Sequence, residues 1–371
     1  MNIAFDAKRA FVNQSGLGNY SRTLIRSLAQ YFPDNHYTLF TTKREGNEFS
    51  QKNISVVLPE RLLDKKISSR WRSYGITELL SKNKIDIYHG LSNELPFNIG
   101  MFKGKKIVTI HDLIFLRYPK LYPLIDRKIY DKKSRAACQL ADVIVATSEQ
   151  TKNDIVEFYG TDTKKIQVVY QSCNEVYRTH SVSPKGGEGG TQRTTEYKLP
   201  AKYLLSVGTI EERKNLLTLV KSLTIIKDIH LVVVGKKKKY FKKVQQFIKA
   251  NGLENRITFL ENVPNEVLPV LYQGAEIFIY PSLFEGFGIP IIEALSCGTP
   301  VITSQVGCFA EAGGKNSVYI NPNDHEQLAL EIKRLLSSAE LRKKMSEKGL
   351  EHSKIFLPQV IAAQMMKIYS S

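Results

Sequence analysis

The chain has 371 residues, of which 42% are hydrophobic, and its formal net charge is +17 at pH 7. This length suits two domains with buried cores, and no apolar run approaches the ~20 residues that span a bilayer. We expect no signal peptide, and the four scattered cysteines favour reduced thiols in the cytoplasm. The positive charge either forms a solvated surface or favours an anionic partner: nucleic acid, an acidic membrane surface or a phosphorylated substrate.

Short β-branched runs alternate with longer helical patterns, which is typical of parallel sheets built from βαβ units. In the first half, strands are predicted at 2–5, 37–40, 55–58, 85–89, 106–110, 143–147 and 166–170, and helices at 20–32, 127–140 and 150–158. In the second half, strands are predicted at 203–207, 231–234, 257–260, 277–280, 301–303 and 318–320, and closing helices at 328–336, 341–352 and 358–369.

The alternation breaks between residues 178 and 199, where almost nothing apolar appears and residues 184–190 have the composition of a flexible linker. We therefore predict a first Rossmann-like domain at 1–174, a linker at 175–200 and a second Rossmann-like domain at 201–355. The C-terminal helix at 356–371 is predicted to pack back on the first domain. No repeat of solenoid period is present, so the predicted fold class is α/β with two successive sheets.

Two loops of the first domain carry unusual residues where ligands of parallel sheets bind, beyond the carboxyl ends of the strands. The Gly16-Leu-Gly18 sequence precedes a predicted helix, where backbone N–H groups can approach an anion; a plain turn explains it equally well. His111 follows the fifth strand and could donate a hydrogen bond to a substrate, although a lone histidine also serves as a structural residue.

The first strand of the second domain leads into Arg213 and Lys214, just before a predicted helix. Two cations at a helix N-terminus form a phosphate site, unless they are a solvated pair. The next strand releases the run Lys236–Lys239, which either helps to hold phosphate or is a solvated charge run.

The richest loop runs from Tyr280 to Pro290 and is followed by a helix that carries Glu293. Gly286 and Gly288 can present backbone donors to a ligand. Glu285 and Glu293 are eight residues apart, so they would share one side if the loop joined the helix. Two carboxylates in a basic cleft suit hydrogen bonds to sugar hydroxyls.

Taken in order, these motifs resemble glycosyltransferase family 4, a group of retaining enzymes of the GT-B fold. In that fold two Rossmann-like domains face a central cleft. The resemblance covers nearly the whole chain, and its sharpest parts are the segment from Gly208 to Asn215 and the E-x7-E motif from Glu285 to Glu293.

The resemblance implies a role for each matching residue. Arg213 and Lys214 would bind the donor diphosphate, Glu285 the donor sugar and Glu293 the ribose, while His111 would contact the sugar near the reacting centre. The remaining residues implied at the donor site are Gly16, Gly18, Thr209, Val263 (against the nucleobase), Gly286, Phe287 and Gly288. Enzymes of this type use no cofactor and need no metal, and this chain has no D-x-D motif.

Within the family, the motif spacing is similar to that of bacterial mannosyltransferases of O-antigen and capsule assembly. This implies a nucleotide-sugar donor, with GDP-mannose favoured over a UDP- or dTDP-sugar, and a glycan or lipid-diphosphate-linked acceptor. Asn19 stands where many relatives carry Arg, and the lysine run is unusually basic, so the donor stays open. The alternatives are a non-hydrolysing nucleotide-sugar epimerase and a basic nucleic-acid-binding protein, but no nucleic-acid-binding signature is present and we expect no nucleic-acid partner.

A final expectation concerns the cellular location of the protein, which the resemblance implies is the inner face of the cytoplasmic membrane. Lys65, Lys66, Arg70 and Arg72 surround Ile67 and Trp71, a pattern that predicts an interfacial patch for an anionic membrane surface.

Overall fold

The computed structural model describes residues 1–13, 16–44, 49–61, 64, 67–179, 197 and 199–371. The chain divides into two compact units: Met1–Ser172 with Phe356–Ser371, and Cys173–Ile355. The division therefore falls between Ser172 and Cys173, where the sequence predicted a boundary near Asn174. Most of the predicted linker lies outside the described residues.

The first unit is a parallel α/β unit. Its strands are β1 (Asn2–Asp6), β2 (His36–Phe40), β3 (Ile54–Val57), β4 (Ile87–Gly90), β5 (Lys105–Ile110), β6 (Val143–Ala146) and β7 (Ile166–Val168). They form a seven-stranded sheet in the order β3-β2-β1-β4-β5-β6-β7. Its described helices are α1 (Lys8–Val12), α2 (Gly16–Tyr31), α3 (Ser68–Arg70), a π-helix (Trp71–Gly75), α4 (Ile76–Lys82), α5 (Ile114–Arg117), α6 (Leu124–Leu140) and α7 (Glu149–Tyr159), with 3₁₀ turns at Ile99–Met101, Pro119–Leu121 and Thr163–Lys165.

Both faces of this sheet are buried, because the helices cover both sides. On β1, Ile3 and Phe5 pack into one core and Ala4 into the other. This alternation follows from the pleat of the strand, which points successive side chains to opposite faces.

The second unit repeats the same plan. Its strands are β8 (Tyr203–Val207), β9 (His230–Val234), β10 (Ile257–Leu260), β11 (Ile277–Tyr280), β12 (Val301–Ser304) and β13 (Val318–Ile320). They form a six-stranded sheet in the order β10-β9-β8-β11-β12-β13, and every pair is parallel. Its described helices are α8 (Val176–Thr179), α9 (Leu216–Ser222), α10 (Phe241–Ala250), α11 (Leu268–Gly274), α12 (Ile289–Ser296), α13 (Phe309–Gly313), α14 (His325–Leu336) and α15 (Ala339–Ser353), with 3₁₀ turns at Glu212–Lys214, Glu254–Arg256 and Lys354–Phe356.

The last helix, α16 (Pro358–Ser370), belongs to the first unit. Ile361, Met365 and Tyr369 are buried in the core that also holds Phe5. The hydroxyl of Tyr369 lies 2.8 Å from Nδ1 of His89, which is itself fully buried on β4. A strand or helix occurs at each position where the sequence predicted one, so the α/β class with two Rossmann-like sheets is confirmed.

The predicted interfacial patch is wrong at its centre. Trp71 is 2% exposed and packs beside Phe40, with 6.2 Å between the ring centroids. The guanidinium of Arg72 is buried as well, because it pairs with Asp6 and Glu94. Ile67 is 48% exposed and Arg70 also faces solvent, whereas Lys65 and Lys66 lie outside the described residues. Among the described helices, none is both long and apolar enough to cross a membrane.

Candidate functional site

The centre of the candidate site is an ionic cluster at the carboxyl ends of β8 and β11. Arg213 pairs with Oε2 of Glu285, and Nζ of Lys214 lies 2.6 Å from Oε1 of the same carboxylate. Tyr280, the last residue of β11, donates its hydroxyl to Oε1 of Glu285 over 3.1 Å. Lys214 also sits over the Tyr280 ring, 4.8 Å from its centroid. The structure thus brings together three of the predicted site residues.

Burial sets the electrostatics of this cluster. It would by itself raise the pKa of Glu285, but the neighbouring Arg213 and Lys214 outweigh it and hold that pKa at about 2. Burial would lower the pKa of Arg213, yet Glu285 raises it overall. The pKa of Lys214 is lowered because its burial outweighs the attraction of Glu285. The result is two cations that one carboxylate holds in a water-poor setting, where charges interact strongly.

Local backbone geometry explains why the two cations point at this edge. The short 3₁₀ turn Glu212–Lys214 ends at Asn215, which adopts the left-handed conformation with φ of 56°. The side-chain amide of Asn215 donates hydrogen bonds to the backbone carbonyls of Pro281 (3.1 Å) and Pro322 (2.6 Å). The guanidinium of Arg213 donates to the carbonyl of Phe284 over 2.9 Å. The turn is therefore fastened to the loop that carries Glu285.

The thiol of Cys308 also holds the loop that carries Glu285. Sγ of Cys308 lies 3.2 Å from the carbonyl oxygen of Glu285 and 2.8 Å from that of Phe287, so its single S–H is shared between these two acceptors. Gly288 has φ of 126° and precedes α12, a conformation that a side chain rarely permits. Phe287 is 3% exposed, whereas Gly286 is half-buried.

Beside Lys214, a small cleft is lined by strand-end backbone. Gly208 and Thr209 line it together with Lys214 and Tyr280. A Cβ atom at Gly235 would lie 2.0 Å from the carbonyl oxygen of Gly208, so only glycine allows the ends of β8 and β9 to approach this closely. Val263 lies half-buried in the loop after β10.

Glu293 has a different environment from Glu285, contrary to the prediction of two carboxylates in one basic cleft. It is 8% exposed on α12 and accepts a hydrogen bond from the hydroxyl of Tyr272 over 2.9 Å. Burial raises its pKa to about 7, and the hydroxyls of Tyr272 and Tyr177 oppose this rise. The helix begins only at Ile289, after Glu285, so eight residues do not place the two side chains on one helical face.

The lysine run Lys236–Lys239 is partly paired. Nζ of Lys237 lies 3.0 Å from Glu261, and Nζ of Lys238 lies 2.6 Å from Glu211. Since Glu211 also accepts from Arg213 over 2.9 Å, Lys238 is connected to the ionic cluster through one carboxylate. Both alternatives for the run, a contribution to phosphate binding and a solvated charge run, stay open, and these ion pairs show how two of its lysines are held.

In the first unit, His111 lies directly after β5, as predicted, and is 5% exposed. Its Nε2 donates to the carbonyl of Leu91 over 2.8 Å, and the side-chain amide of Gln171 donates to Nδ1, also over 2.8 Å. Burial lowers the pKa of the ring to about 4, although the hydrogen bond to Leu91 opposes this. His111 is therefore a neutral imidazole with both nitrogens engaged near neutral pH.

The Gly16-Leu-Gly18 sequence forms the first turn of α2 rather than a loop before it, which corrects the predicted helix start at Tyr20. Gly16 is exposed, whereas Gly18 is buried, and a Cβ atom on Gly18 would lie 1.8 Å from the carbonyl oxygen of Asn13. Gly18 is thus required for close packing against the end of α1. Arg22 donates to the carbonyls of Ala10 and Asn13, both over 2.9 Å, and fastens the same turn.

Sequence reasoning missed Tyr280, Glu211 and Gln171 as partners of the predicted residues. Tyr280 had a usable signal, since it ends a buried strand directly before the Glu285 loop. Gln171 had none, because its contact with His111 joins positions 60 residues apart. Within the described ranges, no group of three or more His, Cys, Asp or Glu side chains could hold a metal ion.

Comparison with known families gives two matches, one for each half of the chain. Residues 14–174 match the family model of Glycosyltransferase Family 4, and residues 192–352 match that of Glycosyl transferases group 1. Together the two matched ranges contain every predicted site residue.

Two curated relatives are O-antigen mannosyltransferases. The chain is 27% identical over 289 residues to O-antigen chain mannosyltransferase B of Escherichia coli, covering 76% of this chain and 74% of the relative. It is 29% identical over 229 residues to O-antigen chain mannosyltransferase RfbU of Salmonella typhimurium, covering 62% of this chain and 60% of that relative. The match thus spans less than two thirds of the Salmonella protein.

A solved structure with the same fold is Anabaena HepE in complex with UDP-glucose. The TM-score is 0.78 at 18% identity, with 100% of this chain and 99% of that chain covered. Solved glycosyltransferases thus share the two-sheet fold over its full length, and the GT-B fold class is confirmed.

Proposed function

Since this chain belongs to the glycosyltransferases, with a family 4 region followed by a group 1 region, we propose that it transfers a hexose from a nucleotide sugar with retention of anomeric configuration. The donor we propose is GDP-mannose, and the acceptor is a glycan or a lipid-diphosphate-linked glycan of bacterial surface polysaccharide. The mannosyltransferase relatives support this choice of sugar.

The observation that carries the proposal is the Arg213–Lys214–Glu285 cluster. Breaking the bond between sugar and diphosphate leaves negative charge on the departing phosphate oxygen. Two buried, preoriented cations stabilise such a charge far better than water does, because they need no reorganisation as it grows. Arg213 and Lys214 are the side chains in this cluster that can do so, and they supply positive charge without a metal ion.

The engagement of Glu285 supports retention without a covalent enzyme intermediate. One of its carboxylate oxygens contacts Lys214 and Tyr280, and the other contacts Arg213. A nucleophilic carboxylate needs a free oxygen at the anomeric carbon. We therefore assign Glu285 to cation positioning and sugar-hydroxyl recognition.

In the proposed reaction the acceptor hydroxyl enters on the face from which the diphosphate leaves. The bond between the anomeric carbon and the phosphate oxygen breaks, the bond to the acceptor oxygen forms, and the departing phosphate takes the acceptor's proton. Glu293 would contact the ribose, Val263 the base, and the backbone at Gly16, Phe287 and Gly288 the phosphates and sugar. His111 would contact the sugar as a neutral ring.

A UDP-sugar is the second candidate donor, because a neighbour of the same fold was solved with UDP-glucose. Thermal unfolding with a panel of GDP-, UDP- and dTDP-sugars separates the two, since a ligand that binds the folded state raises its apparent stability. The proposal expects the largest rise with GDP-mannose. A rise only with a UDP-sugar would replace the donor, and no rise with any of them would contradict donor binding.

Proton NMR of the product tests the stereochemistry. An α-linked donor should give an α-linked product, and a β-linkage would overturn the proposed mechanism. The same assay with a chelator present tests the proposed independence from metal: full activity is expected, and a loss that Mg²⁺ or Mn²⁺ restores would contradict it.

A further inference from the structure

Helix α6 presents large apolar side chains on the side that faces away from the core. In the second half of the helix the inward side carries small residues, and Ser134, Ala137 and Cys138 are buried there. On the opposite side, Ile125 is 74% exposed and Ile129 is 47% exposed. An ordinary surface helix shows the reverse arrangement, with its large apolar residues toward the core.

The position of these residues follows from helical geometry. At about 100° per residue, Leu124, Ile125, Lys128, Ile129 and Lys132 fall on one side of the helix, opposite the buried residues. Leu124 is also 57% exposed. These five residues are called the α6 outer face below.

The helix is firmly attached, so its apolar side is not exposed through loose packing. Tyr130 lies on the side of the helix opposite the outer face and packs its ring 5.8 Å from Phe115 and 6.4 Å from Tyr122. Lys133 forms an ion pair with Glu94 over 2.6 Å. The first half of α6 is therefore held to the rest of the first unit, with its outer face in solvent.

Cations alternate with these apolar residues. Lys128 and Lys132 lie within the outer face, and the exposed Lys120 precedes the helix. The ammonium of Lys132 also lies 5.8 Å from the centroid of the Phe97 ring. Two carboxylates, Asp126 and Asp131, flank the outer face. Asp131 forms an ion pair with Arg135 over 3.2 Å. Long lysine side chains can extend past apolar neighbours and keep their charge in a polar layer.

We propose that the α6 outer face docks on the surface of an anionic lipid bilayer. Leucine and isoleucine side chains would enter the boundary between headgroups and acyl chains, while the lysines would contact lipid phosphates. A second copy of the chain is less suitable as the partner, because a two-fold contact would bring the lysines of both copies together.

The position of α6 in the fold relates the proposed docking to the proposed reaction. The chain leaves the carboxyl end of β5 at His111 and reaches the start of α6 only after a short helix and a 3₁₀ turn. The first turn of α6, with Leu124 and Ile125, therefore lies at the carboxyl edge of the first sheet. If the proposed lipid-linked acceptor is correct, docking brings this edge to the layer where the acceptor's diphosphate lies; the docking itself does not depend on the reaction.

Sedimentation with vesicles tests the docking on the full chain, without any assay of transfer. Vesicles of phosphatidylcholine alone are compared with vesicles that also contain phosphatidylglycerol, at low and high salt. The wild type should bind the anionic vesicles and release them as salt rises. I125S/I129S should lower the partition coefficient at least ~10-fold, because two isoleucines no longer leave water.

Charge reversal at two lysines of the outer face provides a second test in the same vesicle experiment. K128E/K132E should lower binding to anionic vesicles roughly 30-fold or more, since each cation lost near such a surface costs about 5-fold in binding. The matched controls lie in the second unit: Leu330→Ser, at a leucine that is 65% exposed, and K343E/K344E, at two exposed lysines of α15. Both controls should bind as the wild type does.

An added fluorophore reports insertion directly. The chain has one tryptophan, Trp71, which is buried, so Ile125→Trp adds an exposed indole to a constant background. Its emission should shift to the blue with anionic vesicles, and that of Leu330→Trp should not. Equal binding of the wild type and both α6 variants would overturn the proposal. So would self-association of the wild type that I125S/I129S abolishes while vesicle binding stays absent.

Discussion

Glu285 and Glu293 are similarly buried, at 9% and 8% exposure, yet the second unit holds them in opposite electrostatic states. Glu285 lies against two cations, and its pKa is about 2. Glu293 lies among tyrosine hydroxyls, and its pKa is about 7. Burial pushes both pKa values upward, so the cations alone account for the difference in direction.

This difference gives the two carboxylates of one sequence motif different chemistry. In the proposed mechanism, a fixed negative charge at Glu285 keeps Arg213 and Lys214 in place for an anionic group. A carboxyl that is half protonated near neutral pH can both donate and accept hydrogen bonds, which suits hydroxyl groups better than cations. The same E-x7-E spacing thus combines a charged site with a nearly neutral one.

The largest expected effect comes from removing the cations. Arg213→Ala and Lys214→Ala should each lower kcat/KM by at least ~100-fold, in line with the loss of one preorganised electrostatic group. Release of nucleotide diphosphate that depends on acceptor measures the rate. Arg334→Ala, which removes an exposed ion pair with Glu331 on α14, is the control and should stay near wild type. Activity within a few-fold of wild type for both site variants would remove them from the reaction.

Neutralising Glu285 should have the next largest effect. Glu285→Gln keeps the shape of the side chain but removes the negative charge between two buried cations, so Arg213 and Lys214 should shift. A displacement of about 1 Å at a reacting centre costs up to ~100-fold in rate. The product's anomeric configuration should be unchanged. Glu331→Gln serves as the control. Inverted configuration, or a normal rate, would show that Glu285 does not act through Arg213 and Lys214.

Glu293→Gln should change the pH dependence of stability. The folded-state pKa of about 7 lies above the ordinary 4.5, so the wild type has its full stability below pH 4.5 and loses part of it as pH rises to about 7. The glutamine variant cannot lose a proton there, so its advantage over wild type should grow to about 3 kcal/mol by pH 8. Thermal unfolding of both proteins at pH 5 and pH 8 measures the difference in stability between the variant and the wild type. The same difference at both pH values would contradict the raised pKa of Glu293.

The fold was predictable because it depends on short-range patterns. Each strand is a buried apolar run, and helices such as α14 and α15 begin at an Asp324 or Ser338 side chain that accepts from the first turn. The proximity of Arg213, Lys214 and Glu285 could be predicted because glycines and strand ends mark their loops. Trp71 was misjudged because neighbouring charges suggested a surface, whereas Arg72 is neutralised by Asp6 and Glu94, which are distant in sequence.

The environments of the site residues could not be predicted for the same reason. Tyr272 contacts Glu293 from 21 positions away, and Gln171 contacts His111 from 60. Neither partner is marked by its own sequence neighbours, so the sequence indicates a histidine and a carboxylate but not their protonation. A pKa depends on burial and on these distant partners, and both are products of packing.

Lys238 gives the smallest expected effect and sets the outer limit of the charged site. Its side chain is 56% exposed, and its connection to the cluster among the described residues runs through Glu211. An exposed ion pair contributes little, and salt screens it further, so Lys238→Ala should lower kcat/KM by no more than ~5-fold. Lys239→Ala, an exposed neighbour, is the matched control. If Glu211 transmits the charge of Lys238 to Arg213, the Lys238 effect should shrink at high salt and vanish in a Glu211→Gln background. A loss as large as that of Arg213→Ala would mean that Lys238 contacts the donor itself.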